Sequence, residues 1–296
     1  MNYSLHVGIN EFADPGAALR GCINDVINGR QILMNNGWVP ENIRMVCDAR
    51  ATRLNQFQRL DWLTKVAVPG DKVCIQWSCH GTQVVDRDGD EVEDRQDECL
   101  CSYDFPYLWD SPTSAPDAAA CQALLGEVPK PEICDDNLAI FLRNFQKGVY
   151  VFLIADACHS GSIDRGIKPP GSKPNHPKFV SPPIDIEMRG RDRVTTKNTF
   201  GVRGTIGSGT NVHYIDQRHV LLSGCRDNQT SADAVEEGVP QGAMTWAWRT
   251  ALNSVADKTW IKVHALMLDL LQKNGYDQVP QLTGPKDLLE GPVFGA

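Results

Sequence analysis

A chain of 296 residues, 42% of them hydrophobic, is long enough for one large domain with a sizeable core. Its 22% charged residues, 25 Gly and 18 Pro exclude disordered, collagen-like and coiled-coil classes, and it has neither an apolar run of ~18 residues nor a basic, apolar leader; a cytoplasmic protein without a membrane partner is expected. A formal charge of −8 and a pI near 5.4 oppose a phosphate backbone, which excludes nucleic acid as a general partner and favours cationic ones.

The first half alternates strand-like and helix-like patterns. Leu5, Val7 and Ile9 alternate as a short strand, and Leu19, Ile23, Val26, Ile27 and Leu33 then recur at helical spacing until Gly37. Residues 42–47 read as a second strand. Thr52 caps a helix carrying Leu54, Phe57, Leu60, Leu63 and Val66, which ends at the Pro69-Gly70-Asp71 turn. A β-rich run fills 72–78. Further on, Asp135 or Asp136 can cap a helix over 137–146, and Gly148 leads into the apolar strand 149–155. This βαβ alternation predicts an α/β domain, with a mostly parallel sheet covered by helices on both faces.

Two segments break the pattern. Between positions 86 and 98, eight acids face Arg87 and Arg95, a net of −6, which reads as a loop. Between 165 and 203, nine Lys or Arg face three acids and six prolines intervene, so no helix or central strand persists there and a mobile basic connection is expected. Beyond it, 219–223 is strand-like, and 242–255 and 261–273 are helix-like. The ten cysteines are too sparse for a disulfide scaffold, and no CxxC occurs; reduced thiols are expected, most of them packing residues.

Two apolar strands end in similar polar signals, Trp77-Ser78-Cys79-His80-Gly81 and Ala155-Asp156-Ala157-Cys158-His159-Ser160-Gly161. Loops at the carboxyl ends of parallel strands share one edge, where α/β proteins place their ligands, so His80 and Cys158 can meet. Cysteine peptidase chemistry needs a thiolate and an imidazole that protonates the leaving amine. His159 is a poorer base, because neighbours on a tight turn point apart. A buried structural Cys and a surface His give the same local pattern.

The segments 78–83, 156–162 and Gly21-Cys22-Ile23-Asn24-Asp25 resemble the His, Cys and first acidic motifs of metacaspases and the prokaryotic orthocaspases. So do Gly89-Asp90-Glu91, Asp97-Glu98-Cys99 and Tyr103-Asp104-Phe105, the run 223–233 containing Ser231-Ala232-Asp233, and Gln278-Val279-Pro280-Gln281-Leu282, in the same order over 5–284. Several ordered matches are far more specific than a lone CHSG. The resemblance implies a caspase-like α/β/α sandwich and a cysteine endopeptidase cutting after Arg or Lys. It makes Cys158 the nucleophile and His80 the general acid/base, with the Gly81 and Cys158 N–H groups as oxyanion donors. It assigns Asp25 and Asp156 to a pocket for a basic side chain, lined by Ser78 and Cys22; paired carboxylates suit a guanidinium and repel an Asp.

The resemblance also implies calcium as an activator rather than a catalytic ion, held by Asp97, Asp135, Asp136 and a further Asp, for which Asp164 stands one residue early. Asp135 and Asp136 equally suit a helix N-terminus. Asp86-x-Asp88-Gly89-Asp90 fails as an EF-hand, since Gly stands fourth instead of sixth. Gly204-x-x-Gly207-x-Gly209 has the wrong order for a dinucleotide loop. Cys79 and Cys101 stand where the family usually has Gly and Pro, and no N-terminal prodomain is expected. The basic connection offers bonds for self-cleavage, or is simply a soluble loop. The expected organisation is one catalytic domain: a large part over 1–164, a linker over 165–205 and a small part over 206–296, acting as a monomer on peptides with Arg or Lys before the cut. A silent caspase-like binding module and an Asp- or Asn-specific peptidase are the competing readings.

Overall fold

The computed structural model describes residues 1–85, 96–105, 116–126, 133–158, 176–182, 219–226 and 229–295. Strand β1 (Asn2–Gly8) leads to helix α1 (Cys22–Asn35), β2 (Ile43–Cys47), α2 (Arg53–Val66) and β3 (Lys72–Ser78). A small sheet follows, made of β4 (Gly81–Val85), β5 (Gln96–Leu100) and β6 (Ile133–Cys134), with α3 (Ala118–Leu125) between the last two strands. Helix α4 (Asp135–Asn144) runs into β7 (Tyr150–Asp156). The rest comprises β8 (His176–Pro177), β9 (His219–Ser223), the hairpin β10 (Ala232–Glu236) and β11 (Val239–Gly242), helices α5 (Ala243–Ser254) and α6 (Trp260–Lys273), β12 (Gln281–Thr283) and α7 (Lys286–Glu290).

The six-stranded central sheet has the order β12-β9-β7-β3-β1-β2, and only the β12–β9 pair is antiparallel. Alternation along each strand divides its side chains between two cores. Val151, Leu153 and Ala155 of β7 join Val73, Ile75 and Trp77 of β3 against Phe57 and Leu60 of α2 and Phe141 of α4. Phe152 and Ile154 point the other way, with Cys74, Val220 and Leu222, onto Trp248 of α5 and Trp260 and Met267 of α6. The result is helix, sheet, helix, as the alternation predicts.

Thr52 caps α2, its hydroxyl accepting from the Asn55 N–H at 3.3 Å. The start of α4 differs from expectation. Cys134 is the N-cap and Asp135 and Asp136 lie in the first turn, because Asn137 reaches back to accept from the Cys134 N–H at 3.3 Å. The expectation of reduced thiols fails at one pair. Cys99 and Cys134 stand opposite each other on antiparallel β5 and β6, Cα atoms 4.0 Å apart, and are joined as a disulfide; the other eight cysteines are free. Among the described residues no helix is long and apolar enough to cross a membrane.

The basic connection also departs from its predicted mobility over 176–182. There β8 pairs antiparallel with β10, Val180 packs on the first core, and Lys178 is fully buried. Positions 86–95 of the acidic loop, 165–175 and 183–203 of the connection, and Gly204, Gly207 and Gly209 lie outside the described residues, as does His159.

Candidate functional site

The carboxyl ends of β3 and β7 lie side by side, with Ser78 opposite Asp156 in the register. His80 and Cys158 each follow two residues later, so both leave the sheet at the same edge. Backbone contact is close here. A Cβ on Gly81 would lie 1.7 Å from the Cys158 carbonyl oxygen, so only Gly lets the two loops touch.

His80 is buried, and its ring packs on Phe12 at a centroid distance of 5.1 Å. Its Nε2 lies 2.9 Å from the Ala17 carbonyl, which only accepts, so Nε2 carries the proton and Nδ1 is left as the basic atom. Nδ1 is buried without a well-formed hydrogen bond. Burial pushes the imidazole down to about 4, against the raising effects of the Ala17 carbonyl and the nearby Lys178 backbone. The Cys158 sulfur is fully buried; it accepts from the Ser231 N–H at 2.6 Å and lies 3.3 Å from the Ser231 carbonyl. Cys225 is a neighbour that sequence reasoning did not single out: its hydrogen bond with Cys158, then burial, pushes the Cys225 thiol well up.

The predicted acidic pocket is assembled and filled. The Lys178 ammonium donates to Ser78 Oγ at 2.9 Å and to Asp25 Oδ2 at 3.0 Å, and forms an ion pair with Asp156 Oδ1 at 3.1 Å. Burial works against the charge, but Asp156 and Asp25 outweigh it and hold the ammonium well above the usual lysine range. Burial pushes the Asp25 carboxyl up to about 6, against the pull of Lys178 and with the repulsion of Asp156. Cys22, at the start of α1, lies beside Ser78, and burial pushes its thiol well up.

Each carboxylate has further donors of its own. Asp25 Oδ2 accepts from Ser78 Oγ at 2.7 Å and Oδ1 from the Gly242 N–H at 2.8 Å. Asp156 accepts from Ser231 Oγ at 2.7 Å, the Thr245 hydroxyl at 2.6 Å and the Thr245 N–H at 3.1 Å. Gly242 completes the wall, since a Cβ there would meet Asp156 Oδ2 at 2.1 Å and the Lys178 ammonium at 2.5 Å. Asp233 places α1 by accepting from the N–H groups of Arg20 and Gly21 at 2.7 and 2.8 Å.

The backbone of Lys178 is held as firmly as its side chain. Its carbonyl accepts from the Gly81 N–H at 2.9 Å and the Cys158 N–H at 3.2 Å, the two groups expected as oxyanion donors. Its own N–H donates to the Ser231 carbonyl at 3.1 Å. The carbonyl is thus polarised by two N–H groups of which one belongs to Cys158 itself, an arrangement suited to nucleophilic attack at that carbon.

Of the calcium set implied by the resemblance, Asp97, Asp135 and Asp136 lie among the described residues. Asp97 and Asp135 are both buried and flank the Cys99–Cys134 junction, but among the described residues no three His, Cys, Asp or Glu side chains converge as a metal site, and Asp164 lies outside them. Of the residues sequence reasoning missed, Lys178 was visible only as one of nine basic residues in its stretch. Gly242 and Thr245 carry no local motif, and Ala17 contributes a backbone atom that any residue supplies.

Comparison with known proteins shows the family. The family model described as caspase domain, Peptidase C14, matches residues 1–288. Metacaspase-1A of Aspergillus oryzae is 29% identical over 99% of the chain, and metacaspase-1 of Kluyveromyces lactis is 30% identical over 95%. The chain spans 70% and 65% of those relatives' own lengths. The crystal structure of protein GSU0716 from Geobacter sulfurreducens, 21% identical, superposes with a TM-score of 0.65 over 100% of this chain and 98% of that one, a likeness of fold. The chain belongs to the caspase domain family and is a metacaspase-like cysteine peptidase.

Proposed function

We propose that this peptidase cuts peptide bonds after Lys or Arg, with Cys158 as nucleophile and His80 as general acid/base, and that its own Lys178–Phe179 bond is a substrate. The observation that carries the reading is the docking of Lys178, with its ammonium on Asp25, Asp156 and Ser78 and its carbonyl on the N–H groups of Gly81 and Cys158. An Asp side chain in the same pocket would meet two buried carboxylates and no cation, which disfavours the Asp-specific reading. An Arg head would satisfy the same acceptors with its planar fork.

On this reading the Cys158 thiol gives its proton to His80 Nδ1 as the sulfur bonds to the Lys178 carbonyl carbon. The negative charge that develops on the carbonyl oxygen is met by the two N–H groups already in place. The carbon–nitrogen bond to Phe179 then breaks, and the imidazolium gives its proton to the departing amine. A water, deprotonated by His80, hydrolyses the thioester and returns the sulfur to its starting state. The Ala17 carbonyl keeps the imidazole in the tautomer this requires.

Intact-mass measurement of the purified wild-type chain and of Cys158→Ala tests the proposal. Fragments ending at Lys178 and beginning at Phe179 are expected in the wild type only. Fluorogenic peptides ending in Lys, Arg, Asp or Asn complete the test. An uncut chain in both proteins together with no turnover after Lys or Arg would sink the reading, and turnover only after Asp would sink the pocket assignment.

A further inference from the structure

We infer that substrate choice extends beyond the cut bond to an apolar subsite for the second residue after the Lys or Arg, while the two residues before it are held by backbone alone. This rests on the endopeptidase reading of the same site. The segment 176–182 supplies the observations, because it crosses the site and continues past the bond proposed for cleavage.

Before the bond, the chain is recognised as a strand. His176 and Pro177 pair with Asp233 and Ala232 of β10, and the Lys178 N–H bonds to the Ser231 carbonyl. Both side chains are exposed, and the contacts that hold this stretch among the described residues are made by its backbone. After the bond the arrangement changes. The Val180 N–H donates to the Gly81 carbonyl at 3.1 Å, while the Gly81 N–H holds the Lys178 carbonyl, so Gly81 brackets Phe179 in a parallel bridge.

This register fixes the backbone of Lys178 and Val180 on either side of the bridged Phe179. The first enters the acidic pocket. The second, Val180, is half-buried and packs against the core cluster that contains Cys79, Cys101 and Phe105. Phe179, between them, is half-buried and Ser181 is exposed.

Val180 thus packs on apolar core, two residues along from the side chain held in the acidic pocket. An aliphatic side chain there leaves water for a hydrocarbon contact, and a carboxylate would lose its solvation without a partner. The expected substrates are extended segments with Lys or Arg at the cut and a Val-like residue two positions beyond it.

The test uses the wild-type chain and internally quenched peptides copying residues 174–183, with the native sequence or with Val180→Ile, Val180→Ala, Val180→Asp or His176→Ala. The native and Val180→Ile peptides should be cut after Lys178 with similar kcat/KM. Val180→Ala should fall about 5-fold and Val180→Asp at least about 10-fold, and His176→Ala should change less than about 2-fold. Equal cleavage of the native and Val180→Asp peptides after Lys would overturn the subsite and leave Lys specificity standing. A fall for His176→Ala as large as that for Val180→Asp would overturn the asymmetry between the two sides. No cleavage of the native peptide would remove the endopeptidase reading and this inference with it.

Discussion

Replacing Lys178 by Ala in a Cys158→Ala background isolates the energetics of the filled pocket, because the chain can no longer be cut. Lys178 is 0% exposed and its ammonium makes contacts of 2.9, 3.0 and 3.1 Å. Removing one partner of a buried ion pair typically costs about 3–5 kcal/mol, because the remaining charge stays buried and uncompensated. Here Asp25 retains Ser78 and the Gly242 N–H, Asp156 retains Ser231 and Thr245, and water can enter the vacated space. The lower end, about 3 kcal/mol, is therefore expected, or a fall in Tm of roughly 5 °C for a domain of this size. The loss must depend on pH. Asp25 is an acid raised in the folded protein from 3.8 to about 6, and losing the Lys178 cation raises it further. Above that value the folded variant holds an unpaired carboxylate; below it Asp25 takes up a proton and the penalty relaxes. Urea unfolding at pH 8 and pH 5 should show a large deficit against Cys158→Ala alone at the first and a smaller one at the second, with Lys178→Arg retaining most of the stability. Equal stability of the two proteins at pH 8, or a deficit independent of pH, would refute the argument that the carboxylates hold this ammonium.

Other outcomes follow from the same geometry. The kcat/KM for Lys and Arg peptides should fall on an acidic limb that lies above about 6, because Asp25 is raised to that value with Lys178 in place and is raised further once the pocket is emptied for a substrate. Asp25→Asn should cost roughly 30-fold in kcat/KM or more at pH 7.5 and flatten that acidic limb; a full acidic limb in Asp25→Asn would assign it to another group. Gly242→Ala should abolish cleavage after Lys with the fold intact by circular dichroism, because its Cβ would stand 2.1 Å from Asp156 Oδ2 inside the pocket; activity within 2-fold of wild type would contradict the pocket wall. Thiol titration of the denatured protein should find eight free thiols without reductant and ten with it, and ten in both would remove the Cys99–Cys134 bond.

The central sheet was legible because its strands are buried on both faces and read as continuous apolar runs. Lys72–Ser78 and His219–Ser223 end where composition turns polar, and β7 is displaced by one residue from its predicted span. Asp25, Ser78 and Asp156 were legible because each sits at a fixed offset from a strand end or helix start, and the sheet register carries those offsets into space. Lys178 was not. Its docking depends on a pairing between β8 and β10 across more than fifty residues, and β8 is only two residues long, too short to leave a periodic signal. Asp135 and Asp136 misled for a related reason. Acids at a helix start suit both cap and first turn, and only the backward reach of Asn137 decides between them. The Cys99–Cys134 pairing depends on strand register across 35 residues, which spacing alone does not encode.

A buried ammonium between two carboxylates is a poor device for stability, since well-packed apolar residues of the same volume would serve as well or better. The construction of the pocket points to another use. Its walls come from α1, β3, β7, Ser231 just before β10, the start of α5 and the glycine before it, and each carboxylate is hydrogen-bonded by protein donors that remain when the cation leaves. The site is thus organised for a cation independently of Lys178. The contacts to the backbone, through Ser231, Gly81 and Cys158, are equally indifferent to which chain supplies them. Lys178 has the advantage of being tethered, which raises its effective concentration at the site above that of any free peptide. Cutting the bond after it would remove that advantage in one step: the two new ends bind separately, and a free substrate then competes for the pocket on affinity alone. Self-cleavage and the admission of other substrates are on this account one event, governed by the same carboxylates.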